Sequence, residues 1–148
     1  MMINMFQTEK EMLEGADVLR GFDFEVTRSL AEQIGVKRVV FAGMGSSILF
    51  PGKNARGRAF ELNLDNRVEA YFSSELLSYN DFRNTHVILL SNSGMTKETI
   101  LLLHHLKKKK AEFTAITAVD NSILAGKSKS KIIMGCGFES GVAATKSV

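Results

Sequence analysis

Three short stretches of this chain gather hydroxyl, amide and glycine residues more densely than a plain connection needs: Gly43-Met44-Gly45-Ser46-Ser47, Ser91-Asn92-Ser93-Gly94-Met95-Thr96, and the run from Gly137 through Glu139 to Ser147. In the first, Gly43 and Gly45 let the backbone turn sharply and approach a ligand closely. Ser46 is placed to cap the next helix, and the hydroxyls of Ser46 and Ser47 stand beside its free N–H groups, which together make an anion site. The second surrounds Gly94 with polar side chains at the start of a strongly helical segment, where one cap would satisfy the structure. An N-cap and a polar turn account for about two of these residues. The surplus Ser and Thr donors suit the oxygens of a phosphate group, which accept several hydrogen bonds from neutral groups without a lysine. In the third, Glu139 is the only carboxylate. It is either a base for proton transfer or a solvated loop residue, and spacing alone favours the latter.

The glycine-serine turn at 43–47 also brushes against the dinucleotide fingerprint GxGxxG, but Ile48 stands where the third small residue belongs. No acidic residue follows a second strand in the place that would hold a ribose: Glu69 falls inside the strand, and Ser73 and Ser74 follow it. The dinucleotide reading is therefore disfavoured. A glycine-rich strand-to-helix turn is by itself a weak signal, since it is also the simplest way to make the connection.

The elements that must carry these turns are legible in the periodicity. Thr8 and Glu11 have capping-box spacing, and Met12, Ala16 and Leu19 then recur at helical intervals up to Gly21. Asp23 can cap a second helix with Val26, Leu30 and Ile34 on one stripe, ended by Gly35. From Val36 onward the pattern changes to five short β-branched runs, at 37–43, 67–72, 86–91, 112–118 and 131–136. Their lack of polar alternation predicts strands covered on both faces. Helical segments fall between them, at about 47–63, 74–79, 95–109 and 121–126. In the third of these Thr99, Leu102, Leu103 and Leu106 share one face, and the lysines at 107–110 complement the helix macrodipole at its C-terminus. Asp120 can cap the fourth, with Gly126 ending it. Pro51 sits inside the first and predicts a late start or a kink. On that first helix Gly52, Ala55 and Ala59 form a small-residue face suited to close packing on the sheet. Strand alternating with helix is the mark of a doubly wound α/β sheet, where ligands bind beyond the carboxyl ends of the strands, and all three polar stretches lie there.

Composition bounds the rest. The 148 residues suit one domain, and 45% hydrophobic with 24% charged residues is an ordinary globular balance. A formal net charge of +3 is too small to argue for nucleic acid. No apolar run is long enough for a membrane span, and charges interrupt the first residues where a signal peptide needs its apolar core. The single cysteine, Cys136, permits no internal disulfide, and no Cys/His cluster has metal-ligand spacing, so neither a metal nor another cofactor is expected. A cytoplasmic protein is the expectation. His104 and His105 occupy adjacent helix positions that do not face each other and read as structural.

Taken together, GMGSS at 43–47, SNSGMTKET at 91–99 and ESGVAATKS at 139–147 resemble the SIS (sugar isomerase) domain family, over nearly all of the chain from about Val36. The resemblance implies a three-layer α/β/α sandwich around a five-stranded parallel sheet, with two leading helices at about 8–34, and a sugar phosphate as small-molecule partner. By motif position it implies phosphate binding by Ser46, Ser47, Ser91, Asn92, Ser93 and Thr96, and a sugar lined by Gly45, Val142, Ala143 and Ala144. Glu139 matches the motif's acidic position near the substrate, which makes it the catalytic candidate for proton transfer next to a carbonyl or imine. The VAATKS segment is similar to that of the two-SIS phosphosugar isomerases, deaminases and aminotransferases, and the expectation is one SIS module of such a protein, paired as a homodimer or larger. Two departures are Met95, where Glu is common, and Pro51-Gly52 in a helix that is usually regular. The other reading is a phosphosugar-sensing module without catalysis.

Overall fold

The β-branched runs become strands and the 3.6-residue repeats become helices in the order the sequence predicts. The structure is a computed structural model and describes residues 7–137. Along the chain run α1 (Gln7–Gly21), α2 (Glu25–Ile34), β1 (Arg38–Gly43), α3 (Ser46–Leu49), α4 (Pro51–Glu61), β2 (Val68–Phe72), a 3₁₀ turn (Glu75–Ser78), β3 (Thr85–Leu90), α5 (Lys97–Lys109), β4 (Glu112–Thr117), α6 (Ile123–Lys127) and β5 (Lys131–Ile133). The strands form one parallel sheet in the order β2-β1-β3-β4-β5.

All six residues of the central strand β3 are buried, so each face must be covered, and the alternation of side chains sorts them into two cores. Val87 and Leu89 join Val40, Ala42 and Ala115 beneath Leu102, Leu103 and Leu106 of α5. Ile88 and Leu90 join Ile132 on the other face, beneath Leu30 and Ile34 of α2 and Ile48 of α3. This is the three-layer α/β/α arrangement. The stripe predicted on α5 is wholly interior, with Thr99, Leu102, Leu103 and Leu106 at 0% exposure. Burying each leucine contributes roughly 1.5–3 kcal/mol.

Pro51 resolves as a break between two helices. Phe50 takes φ −96° and ψ −71°, and Pro51 occupies the first position of α4, where its missing N–H forfeits no helical bond. The small-residue face behaves as expected: Gly52 and Ala59 are buried, and a Cβ on Gly52 would land on Cδ1 of Ile48 and lie 3.5 Å from Cβ of Phe41.

Several local expectations need correction. Helix α1 begins at Gln7, ahead of the expected cap Thr8, and its stripe is outside the core: Met12 is 58% and Leu19 63% exposed, because none of the described elements covers that face. On α2, Leu30 and Ile34 are buried but Val26 is 40% exposed. Asp23 does accept the Glu25 N–H at 2.9 Å, although the residue directly preceding the helix is Phe24. The cap of α6 is Ser122, whose hydroxyl accepts the Ala125 N–H at 3.2 Å, while Asp120 pairs with Lys131 at 2.7 Å and Gly126 lies inside the helix.

Candidate functional site

In this strand order the chain winds one way from β1 to β2 and the other way from β3 to β5. The reversal opens a crevice at the carboxyl ends of β1 and β3, the usual ligand position in open α/β sheets. Gly43 pairs with Leu90, so the two polar turns leave adjacent strand ends side by side. Close approach explains the glycine: a Cβ on Gly43 would lie 2.9 Å from the Leu90 carbonyl oxygen and 3.5 Å from Cβ of Ile48. The end of β2 is tied to the same place, since the Ser73 N–H donates to the Gly43 carbonyl at 2.9 Å.

The first turn passes through Gly45 at φ +55°, and its carbonyl accepts the Ile48 and Leu49 N–H groups at 3.2 and 3.1 Å. Gly45, not Ser46, is therefore the residue preceding α3. It has no side chain to cap with, and Ser46 and Ser47 lie in the first turn of the helix. The correction has a physical reason: a positive φ is required one residue before the helix, and glycine meets it without strain.

The second turn is tighter. Ser91 is buried, and its hydroxyl both accepts the Gly94 N–H at 3.1 Å and pairs with the Thr96 hydroxyl at 2.9 Å. The Ser93 hydroxyl accepts the Met95 N–H at 3.2 Å. Thr96 precedes α5, yet its hydroxyl is turned to Ser91, so among the described residues no side chain caps the helix. A helix of 13 residues thus presents its first-turn N–H groups and the positive end of its dipole to the crevice, with no side-chain acceptor among the described residues. Asn92, Ser93 and Thr96 are half-buried around that opening, and Met95 is exposed. Among the predicted residues the structure brings together Gly45, Ser46, Ser47, Ser91, Asn92, Ser93 and Thr96. Glu139, Val142, Ala143 and Ala144 lie outside the described residues.

Sequence reasoning missed the residues beneath the second turn. The buried Thr117 hydroxyl donates to the Asn92 carbonyl at 2.9 Å, and the Ala118 N–H reaches the same oxygen at 3.0 Å. The Leu124 N–H donates to the Gly94 carbonyl at 3.0 Å. On the other side, buried Ser73 and Thr99 share a hydrogen bond of 3.1 Å that ties the end of β2 to the first turn of α5. The only signal for them is position, since each polar residue ends a strand or opens a helix at the carboxyl edge.

What this edge can do is hold an oxyanion with neutral donors. Among the described residues no three His, Cys, Asp or Glu side chains gather as metal ligands. A cavity of about 400 Å³ opens at the opposite, amino-terminal edge of the sheet, lined in part by His86, Lys107, Lys110, Glu112 and Lys129. Its one carboxylate is already paired. Lys37 binds Glu112 and holds its carboxyl below the usual range, and burial pushes the His86 imidazole down. The lysines of α5 stand at the negative end of the helix dipole. The carboxyl edge is the better candidate.

A family model described as the SIS domain matches residues 34–148. Among solved structures, the chain resembles the C-terminal domain of glucosamine-fructose-6-phosphate aminotransferase from Francisella tularensis, at 20% identity and TM-score 0.71 over 96% of this chain and 43% of that one. It also resembles glucosamine-6-phosphate deaminase from Thermotoga maritima, at 22% identity and TM-score 0.68 over 90% and 40% of the two chains. The NanR protein of Vibrio vulnificus, complexed with ManNAc-6P, matches at 15% identity and TM-score 0.61 over 95% of this chain and 53% of that one. These likenesses show the fold. No curated protein matches the chain by sequence.

Proposed function

Because the chain belongs to the SIS domain family, we propose that it binds a sugar phosphate at the carboxyl edge of β1 and β3. The observation that carries this reading is the N-terminus of α5, which no side chain among the described residues caps, framed by Ser91, Ser93 and Thr96 and lying beside the Gly45-Ser46-Ser47 turn. Helix N–H groups and neutral hydroxyls supply the donors a phosphate needs, and the helix dipole favours its charge. Ser46, Ser47, Asn92, Ser93 and Thr96 line the opening, with Ser91 holding Thr96 in place through the bond between their hydroxyls. The complex of NanR with ManNAc-6P supports the same ligand chemistry, since that protein shares the fold.

The activity that fits is proton transfer at the carbon next to a carbonyl or imine, as in isomerisation or deamination of a sugar phosphate, with Glu139 as the base and Gly45, Val142, Ala143 and Ala144 lining the sugar. The test is a thermal-shift titration with fructose 6-phosphate and glucosamine 6-phosphate, followed by a turnover assay. Stabilisation should appear in the natural chain and vanish in Ser93→Ala/Thr96→Ala with the fold intact by circular dichroism. An unchanged shift in the double variant would place the phosphate elsewhere, and turnover unaffected by Glu139→Gln would remove Glu139 as the base.

A further inference from the structure

The amide groups of the Ser91–Thr96 turn are aimed from behind, by hydrogen bonds to carbonyl oxygens on the side facing β4 and α6. Two donors converge on the Asn92 carbonyl, the Thr117 hydroxyl at 2.9 Å and the Ala118 N–H at 3.0 Å, and one on the Gly94 carbonyl, the Leu124 N–H at 3.0 Å. A trans peptide is planar and its C=O and N–H point in opposite directions. Drawing the Asn92 carbonyl toward Thr117 therefore turns the Ser93 N–H away from β4, and drawing the Gly94 carbonyl toward Leu124 does the same for the Met95 N–H. The Met95 N–H meets the Ser93 hydroxyl at 3.2 Å, whereas among the described residues no acceptor meets the Ser93 N–H.

Thr117 is well placed to hold this orientation. Its side chain is fully buried at the end of β4. Gly94 turns at φ +63° directly above, so close that a Cβ there would land on Ser122 and lie 2.9 Å from the Thr117 oxygen. The turn can approach Thr117 only because residue 94 has no side chain.

We propose that Thr117 is a positioning residue of the anion site: its hydroxyl fixes the peptide between Asn92 and Ser93 so that the Ser93 N–H is presented to a phosphate oxygen. Thr117 itself does not touch the ligand. The inference rests on the phosphate-binding reading above and adds a residue from a different strand to it.

The test uses the full chain with fructose 6-phosphate and inorganic phosphate as probes. Thr117→Val keeps the shape and removes the hydroxyl, and it should weaken binding of both probes about three- to tenfold, the equivalent of one net hydrogen bond. Thr117→Ser should restore binding. Thr114→Val is the control: it makes the same change on the same strand, but removes bonds to His86 and Ser130 at the far edge, at 2.9 and 2.8 Å. It should lower the melting temperature without changing affinity. Independently of any variant, the Ser93 amide proton should move downfield when fructose 6-phosphate is titrated and followed by NMR. If the natural chain binds neither probe, the phosphate-binding reading fails and this one with it. If the natural chain binds but Thr117→Val binds equally well, or the Ser93 amide is unmoved, the positioning role alone is overturned. Equal loss of affinity in Thr114→Val would likewise overturn it, by assigning the effect to general destabilisation.

Discussion

Replacing Gly94 by alanine separates two costs that usually arrive together. The first is conformational: φ is +63° at Gly94, and an L-residue in the left-handed region costs about 1–2 kcal/mol. The second is steric. The new Cβ would land on the Cβ and Oγ of Ser122 and lie 2.9 Å from the Thr117 Oγ1. Because one of those atoms is a Cβ close to the backbone, no rotamer change removes the overlap, and forcing an extra methyl into such a site costs about 1–3 kcal/mol. Gly94→Ala should therefore destabilise by about 2–5 kcal/mol, the sum of these two costs. Gly45 differs in both respects: at φ +55° and ψ −135° it sits in a region that glycine alone enters readily, and nothing among the described residues lies within 4 Å of its Cβ position, so Gly45→Ala should show a conformational cost that Ser122→Gly does not relieve. Ser122→Gly removes the obstructing atoms, and glycine is a tolerable helix cap, so by itself it should cost only a few tenths of a kcal/mol. In Gly94→Ala/Ser122→Gly the steric part should be recovered, leaving a coupling energy of at least about 1 kcal/mol between the two sites. Urea unfolding followed by circular dichroism measures all four variants. Strict additivity in the double variant would show that Ser122 does not obstruct position 94 and would refute the steric reason for its glycine.

Two further outcomes follow from the fold. His86 is buried with its imidazole pushed down by desolvation, and its Nδ1 lies 3.7 Å from the Glu112 carboxylate, too far for a hydrogen bond. The unfolded chain therefore takes up a proton that the folded chain resists, and stability present above about pH 6.5 is lost as the pH falls below it. In His86→Gln, unfolding curves between about pH 7 and pH 5 should show a smaller loss than in the natural chain, and equal losses would contradict the buried neutral imidazole. Glu112, held low by Lys37, weakens the fold only at more acidic pH, as the solution falls through its own depressed range. Pro51→Ala should change stability by less than about 1 kcal/mol, because Pro51 opens α4. A gain near ~3 kcal/mol would instead mark a proline within a helix interior.

The parts of the fold legible in the sequence are those that local chemistry decides. Val87–Leu90 cannot alternate polar and apolar and so must be covered twice, and Thr99, Leu102, Leu103 and Leu106 share a face whatever they pack on. Pro51 marks a boundary because its ring and missing N–H act on its own helix. The misreadings share a cause as well. Asp120 is as good a cap as Ser122 by residue type, but α6 opens only after Ser122, and Asp120 pairs with Lys131 of β5 instead. Ser46 has the right chemistry for a cap, but the positive φ falls on Gly45. The Met12 and Leu19 repeat is a real helical stripe, yet periodicity cannot say whether anything covers it.

The candidate site divides in the same way. The polar residues of its two turns, Ser46, Ser47, Ser91, Asn92, Ser93 and Thr96, stand out by type and spacing, because the hydroxyl and amide groups around a glycine exceed what one helix cap uses. That the two turns stand together is not legible there, since it depends on β1 lying between β2 and β3, a pairing between segments far apart in the chain. Nor is the share taken by Thr117, Ser73 and Thr99, whose roles exist only once three strands end on one edge. The sequence by itself determined which segments become helix and strand and where the polar turns fall between them. Only the tertiary structure decided which donors converge and what aims them, because hydrogen bonds between distant segments leave no periodic trace in the chain.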